Sequence, residues 1–298
     1  MIGFVLKRVA GLAITLLLAI LVVFLVLDFL PDADTAPVWQ RFAGWLGGAL
    51  LGDFGTSAMA NAPVGALIAE RMAVTLPLAV AAMLLAVAIG LPLGVLAAWK
   101  RGAPADRVLH GATLIAAGVP GFWFGMLLVL LVSAQLRWLP SGGFVPWGQN
   151  PAGAAASLIL PAFTLALPGA AILARAMRDA MVDAMVDAKA ADFIRTAQIK
   201  GLSLRQAIWK RGLRNALLPV LAITGPLFAL LIATSIVVEN VFYLPGLGRL
   251  ILAAVAERDA LVIRGTLLAL MASMSCALLM ADLLGAWADP RLRTRSGP

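Results

Sequence analysis

Few side chains in this sequence could do bond-breaking chemistry, and their spacing excludes the common catalytic sites. There is one histidine, His110, and one cysteine, Cys276. An H-E-x-x-H zinc site needs two histidines, so that motif is ruled out. A His/Cys metal cluster is ruled out for the same reason. One cysteine cannot form an intrachain disulfide. No lysine follows a glycine, so the G-x-x-x-x-G-K-[ST] phosphate loop is missing. Asp179, Asp183 and Asp187 recur every four residues and would share one helix face. Such a face could attract a cation, but in a segment this polar it reads as a solvated or ion-paired surface. Asp28 and Asp282 are the only acids near the interior of apolar runs, a poor basis for a paired-aspartate protease. An ionisable group such as Asp282 is expensive within a span. Its nearness to Pro290 favours a structural ion pair or helix anchor over a substrate ligand. Glu239 closes an apolar run and could serve either a gate or an interfacial cap.

The elements that must position these residues are membrane helices. Only 13% of the 298 residues are charged and 62% are hydrophobic. A soluble domain carries about a quarter charged residues, so polar surface is too scarce for a water-soluble globule. Apolar spans are expected near 9–28, 73–98, 108–134, 156–176, 217–238 and 263–287, each about long enough for a hydrocarbon core of roughly 30 Å. The first follows Lys7 and Arg8 but lacks an A-x-A cleavage site, so it reads as a retained anchor. Dividing the loops between the two sides puts 17 Lys and Arg on one and 6 on the other. The richer side is cytoplasmic by the positive-inside rule, which places both termini there. The net charge of +8 therefore orients loops, and no nucleic-acid partner is expected. Trp138, Trp147 and Trp287 lie near span boundaries, where membrane lipid headgroups favour such rings. Pro77, Pro92, Pro120, Pro161, Pro168 and Pro226 lie in or beside spans and predict bent, tightly packed helices.

The connection after the fourth span, residues 176–216, is long and polar. Ala190–Lys200 can form about three helical turns with Phe193 and Ala197 on one face. Gly201 supplies a stop, because glycine accepts positive φ without steric conflict. Ser203 can cap a following helix that runs toward Pro219. The tandem repeat Met181–Ala184 and Met185–Ala188 adds one turn, about 6 Å, to the helix that leads here.

Asp192-Phe193-Ile194-Arg195-Thr196-Ala197 through Lys200-Gly201-Leu202-Ser203, then Leu213–Pro219, resembles the cytoplasmic signature loop of ABC importer permeases. More narrowly it is similar to the peptide/nickel group. Gly52–Ser57, Glu239–Phe242 with Pro245–Arg249, Arg258-Asp259 and Asp289–Arg293 resemble further stretches of that group, in its order. The resemblance implies an all-α, six-span type I importer permease fold: a first anchor and outer loop (1–72), a five-helix core (73–288) and a cytoplasmic tail (289–298). It implies that the first span wraps a second, homologous permease. It also implies cytoplasmic ATPase subunits, which would hold the ATP since this chain has no cofactor of its own, and an extracytoplasmic solute-binding protein. The ATPase-coupling surface would comprise Phe193, Arg195, Thr196, Ala197, Lys200, Gly201, Leu202 and Ser203. Ala197 and Gly201 match the E-A-A-x-x-x-G pattern of the wider superfamily. Arg195 stands where that pattern has an acid, so an acid's salt bridge does not carry over. The first outer loop, from Pro31 to about Gly44, is shorter than usual. Two other classes stay open from residues alone. A secondary transporter would show inverted repeats and midplane charges; a membrane scaffold would show no solute-stimulated ATPase.

Overall fold

The computed structural model describes residues 2–28, 36–190, 199, 201 and 213–288. The chain runs through α1 (Ile2–Asp28), α2 (Val38–Leu50), α3 (Val64–Trp99), α4 (Pro104–Gly118) and α5 (Gly121–Leu128). The last of these continues as a π-helical stretch, Val129–Gln135. Then follow α6 (Pro151–Ala190), α7 (Leu213–Val241), α8 (Leu247–Glu257) and α9 (Ala260–Ala288). Among the described residues, the helices long and apolar enough to cross a bilayer contain Val5–Leu27, Val64–Trp99, Pro151–Asp183, Ala216–Val241 and Ala260–Ala286.

The span expected at 108–134 does not form one helix. The chain leaves helical geometry at Val119 (φ −78°, ψ 127°) and Pro120 (φ −58°, ψ 128°). A proline pushes its predecessor toward extended backbone, and its ring occupies the place of a helical N–H. Hydropathy averages across such a break. What remains apolar is Gly121–Gln135, shorter than the five long helices, while α4 carries Asp106, Arg107 and His110.

Packing centres on α3 and α6. Lipid tails are as apolar as leucine, so helices in a bilayer associate by close approach and not by hydrophobic exclusion. Gly90 and Gly94 provide that approach. A Cβ on Gly90 would lie 2.7 Å from the Ala170 carbonyl oxygen, and one on Gly94 would lie 2.5 Å from that of Ala174. Leu78, Ala82, Ala86, Ala166, Leu173 and Met177 fill the rest of the seam. A second cluster near the other end of α3 gathers Val64, Ile68, Ile232, Leu247, Val262 and Ile263. Pro77 cannot donate to the carbonyl of Ala73, four residues before it. The Trp147 indole Nε1–H donates to that oxygen at 2.9 Å. A loop tryptophan thus satisfies the group the proline leaves open.

Helix α6 is 40 residues long and passes uninterrupted through both copies of the Met181–Ala188 repeat. Neither copy loops out. Helix α1 is peripheral, with Ile20 and Phe24 as its buried side chains.

Candidate functional site

The sequence Glu239–Arg249 ends α7, turns sharply and starts α8, and its polar groups are internally matched. Tyr243 takes a left-handed φ of 53°. The Leu244 N–H donates to the Glu239 carbonyl at 2.8 Å. Helix α8 then begins with backbone N–H groups that have no partner within the helix. Residues from two other helices accept from them. The fully buried Glu239 receives the Gly248 N–H at 2.7 Å and the Arg249 N–H at 3.4 Å on Oε2. Its Oε1 accepts from the Thr75 hydroxyl at 2.6 Å. The same hydroxyl accepts from the Leu247 N–H at 2.8 Å. A carboxylate at a helix N-terminus is also favoured by the helix dipole. Both glycines of Pro245-Gly246-Leu247-Gly248 are required by space: a Cβ on Gly246 would meet the Glu239 carboxylate at 2.3–2.4 Å, and one on Gly248 would meet Ile236 Cα at 2.3 Å. With 11 residues, α8 is about 16 Å long and too short to cross a bilayer. It is held against the bundle by α3 and α7 jointly.

The Gly52–Ser57 stretch meets Arg258-Asp259 beside this cap. Ser57 Oγ donates to Asp259 Oδ2 at 2.7 Å. Asp259 Oδ1 accepts from the Val262 N–H at 3.1 Å, closing the first turn of α9. The Ser57 N–H donates to the Ala62 carbonyl at 3.0 Å, and the Val64 N–H to the Gly55 carbonyl at 2.9 Å. Motif stretches 202 residues apart in the chain therefore form one hydrogen-bonded floor. Gly143 donates separately to the Phe242 carbonyl in the turn after α7, at 2.9 Å.

At the opposite end the ties are ionic. Arg178 on α6 grips Asp106 on α4 through Nε–Oδ1 at 2.8 Å and Nη2–Oδ2 at 2.9 Å. Asp106 Oδ2 also accepts the Gly102 N–H at 3.1 Å. Asp179 lies 3.2 Å from Arg178 and Asp183 is exposed; the side chain of Asp187 lies outside the described residues. Among the described residues no group of acids, histidines or cysteines is arranged to hold a metal ion. Asp282 pairs with Arg8 of α1, beside a cavity of about 370 Å³ between α1, α7 and α9. Further along the same seam, the Arg264 guanidinium of α9 sits 4.3 Å from the Phe24 ring centroid. Phe24 packs in turn on Phe42 and Trp45 of α2.

Of the coupling segment, Phe193, Arg195, Thr196, Ala197, Lys200, Leu202 and Ser203 lie outside the described residues. Gly201 has φ +78°, in the left-handed region. Sequence reasoning missed Thr75, the Arg178–Asp106 pair and the partner of Asp282. It also missed the Gly90-x-x-x-Gly94 spacing, a legible small-residue signal for helix contact. Nothing local marks Thr75, whose partner Glu239 is 164 residues away.

Five helices long and apolar enough to cross a bilayer, with a short capped helix at one end and an ionic connection at the other, are the features of a polytopic membrane protein. Residues 90–294 match the family described as binding-protein-dependent transport system inner membrane component. The chain belongs to that family and is a multi-pass permease subunit of an ABC importer. It is 36% identical over 316 aligned residues to a putative peptide transport system permease protein of Brucella abortus (strain 2308), covering 98% of this chain and 99% of that protein. It is likewise 36% identical to the glutathione transport system permease protein GsiC of Salmonella choleraesuis, over 98% and 99% of the two chains. Identity to the dipeptide transport system permease protein DppB of Escherichia coli K12 is 35%, over 86% and 81%. Among solved structures, a chain of the inward-facing MetNI methionine ABC transporter superposes with a TM-score of 0.59. At 18% identity, with 75% of this chain and 96% of that one covered, it shares the fold.

Proposed function

We propose that this chain forms half of the translocation path of an ATP-driven, binding-protein-dependent importer of di- or oligopeptides, with a second homologous permease forming the other half. Identity of 35–36% across nearly the whole chain to permeases named for peptides, glutathione and dipeptides carries this reading. Peptide is favoured over a nickel chelate because those names are peptidic. ATP is bound by cytoplasmic ATPase subunits, which grip Asp192–Ser203 as a coupling helix. An extracytoplasmic binding protein delivers the solute to the end built around Glu239 and Asp259. Six crossings put both termini in the cytoplasm, with Gly121–Gln135 completing the sixth. The unburied apolar face of α1, with Val9, Leu17 and Val22, is turned to the second permease.

The test is peptide uptake by proteoliposomes containing both permeases, the ATPases and the peptide-loaded binding protein. Uptake is expected only with ATP. Gly201→Val places a β-branched residue at φ +78°, and is expected to lower uptake about tenfold or more through strain at the turn. The assembled complex should persist. Undiminished uptake without the ATPases would defeat the reading.

A further inference from the structure

At the end of α3 next to Lys100 and Arg101, the described residues leave the bundle open. A groove of about 640 Å³ opens between α3, α6 and α7, within the roughly 300–1,000 Å³ range of ligand pockets. Its walls include Leu91, Val95, Leu96, Trp99, Met177 and Leu217, and they are almost entirely apolar. Leu96 and Trp99 are 51% and 38% exposed, so the groove is open from outside the bundle. The two residues after Trp99, Lys100 and Arg101, are exposed. Among the described residues neither has an ion-pair partner, whereas the acids nearby, Asp106 and Asp179, are both bound to Arg178.

The sign of these charges decides between occupants. Residues 191–212 of this chain carry Asp192 against Arg195, Lys200, Arg205, Lys210 and Arg211. The tail 289–298 holds Asp289 against Arg291, Arg293 and Arg295. The first helix of a second copy would bring Lys7, its Arg8 being held by that copy's own Asp282. Each would set cations against cations. An apolar chain with an anionic head fits both halves of the groove, and the cytoplasmic leaflet is rich in such lipids.

We propose that this groove is a binding site for one anionic phospholipid, whose acyl chain lies along Leu91, Val95 and Leu96 and whose phosphate is held by Lys100 and Arg101. Trp99 lies at the junction of chain and headgroup, the level its ring favours. The site is independent of which solute is transported.

Native mass spectrometry of the full-length permease, released from detergent with defined phosphatidylglycerol or phosphatidylcholine, tests this. One phosphatidylglycerol is expected to be retained in preference to phosphatidylcholine. Each cation contributes about fivefold to that preference. The double variant Lys100→Gln/Arg101→Gln should therefore bring the two lipids close to parity. Leu96→Trp fills the groove and should abolish retention of either lipid. Arg137→Gln, an exposed cation at the other end of the π-helical stretch, should change nothing. Equal retention of both lipids by the unmodified chain would overturn the proposal, as would a preference that survives the double variant. In lipid-stripped Cys276→Ala protein, Leu96→Cys should react readily with a maleimide. Protection would mean that residues 191–212 or the second permease fill the groove, and would equally overturn it.

Discussion

The seam between α3 and α6 and the seam between α1 and α9 both join long apolar helices, but by opposite means. The first brings backbone against backbone at Gly90 and Gly94, with small side chains between. The second adds ties through long side chains to its apolar contacts: Arg8 reaches Asp282, and Arg264 reaches the Phe24 ring. A seam made of backbone has no slack, because displacing it moves two whole helices. A seam made of long side chains can lengthen, swing and re-pair. The bundle thus has a rigid centre, to which α8 is fastened through Thr75 and Glu239, and a loosely moored outer helix.

The largest expected effect comes from breaking the rigid seam. Gly94→Leu would place a Cβ 2.5 Å from the Ala174 carbonyl oxygen and 2.7 Å from Met177 Cβ. Overpacking against backbone should destabilise by about 4 kcal/mol or more. The expected outcome is loss of the monodisperse permease peak in detergent chromatography. A normal yield would show that the seam is slack after all. Next in size is Glu239→Ala, which removes the acceptor for two N–H groups of α8 and for Thr75. Loss of buried charge-assisted bonds should lower stability by about 2–4 kcal/mol, read as a fall in the thermal midpoint. Glu239→Gln keeps an acceptor and should recover part of that loss. The smallest effect is expected at the mooring. The Arg8 and Asp282 side chains are 54% and 27% exposed and stand near helix ends. A double-mutant cycle with Arg8→Ala and Asp282→Ala should give a coupling of about 1 kcal/mol or less. A coupling near 3 kcal/mol would make α1 part of the rigid centre and erase the contrast.

The long helices were legible because an 18- to 25-residue apolar block has few other uses. The block at 108–134 misled because mean hydropathy carries no information about Val119 and Pro120, where the backbone turns extended. Helices α2 and α8 escaped notice for another reason. Each is amphipathic and shorter than a span, so neither stands out from a polar connection. The motif stretches Gly52–Ser57, Glu239–Arg249 and Arg258-Asp259 were readable singly, through resemblance. Their partners were not, because Ser57 and Thr75 reach their acids across 202 and 164 positions. Asp282 could be read as a residue in need of a counterion, yet 17 arginines and lysines fall on the same side by the loop division, and only the packing of α1 on α9 selects Arg8.

The unbroken length of α6 has a mechanical meaning. From Pro168, where the ring weakens the helix, to Ala190 is a rod of about 33 Å. Tilting that rod by about 10° at Pro168 would carry its tip through about 6 Å, close to the rise of one helical turn. A small angular change at Pro168 would thereby become a larger displacement at Ala190, and the duplicated Met-Val-Asp-Ala makes up part of that arm.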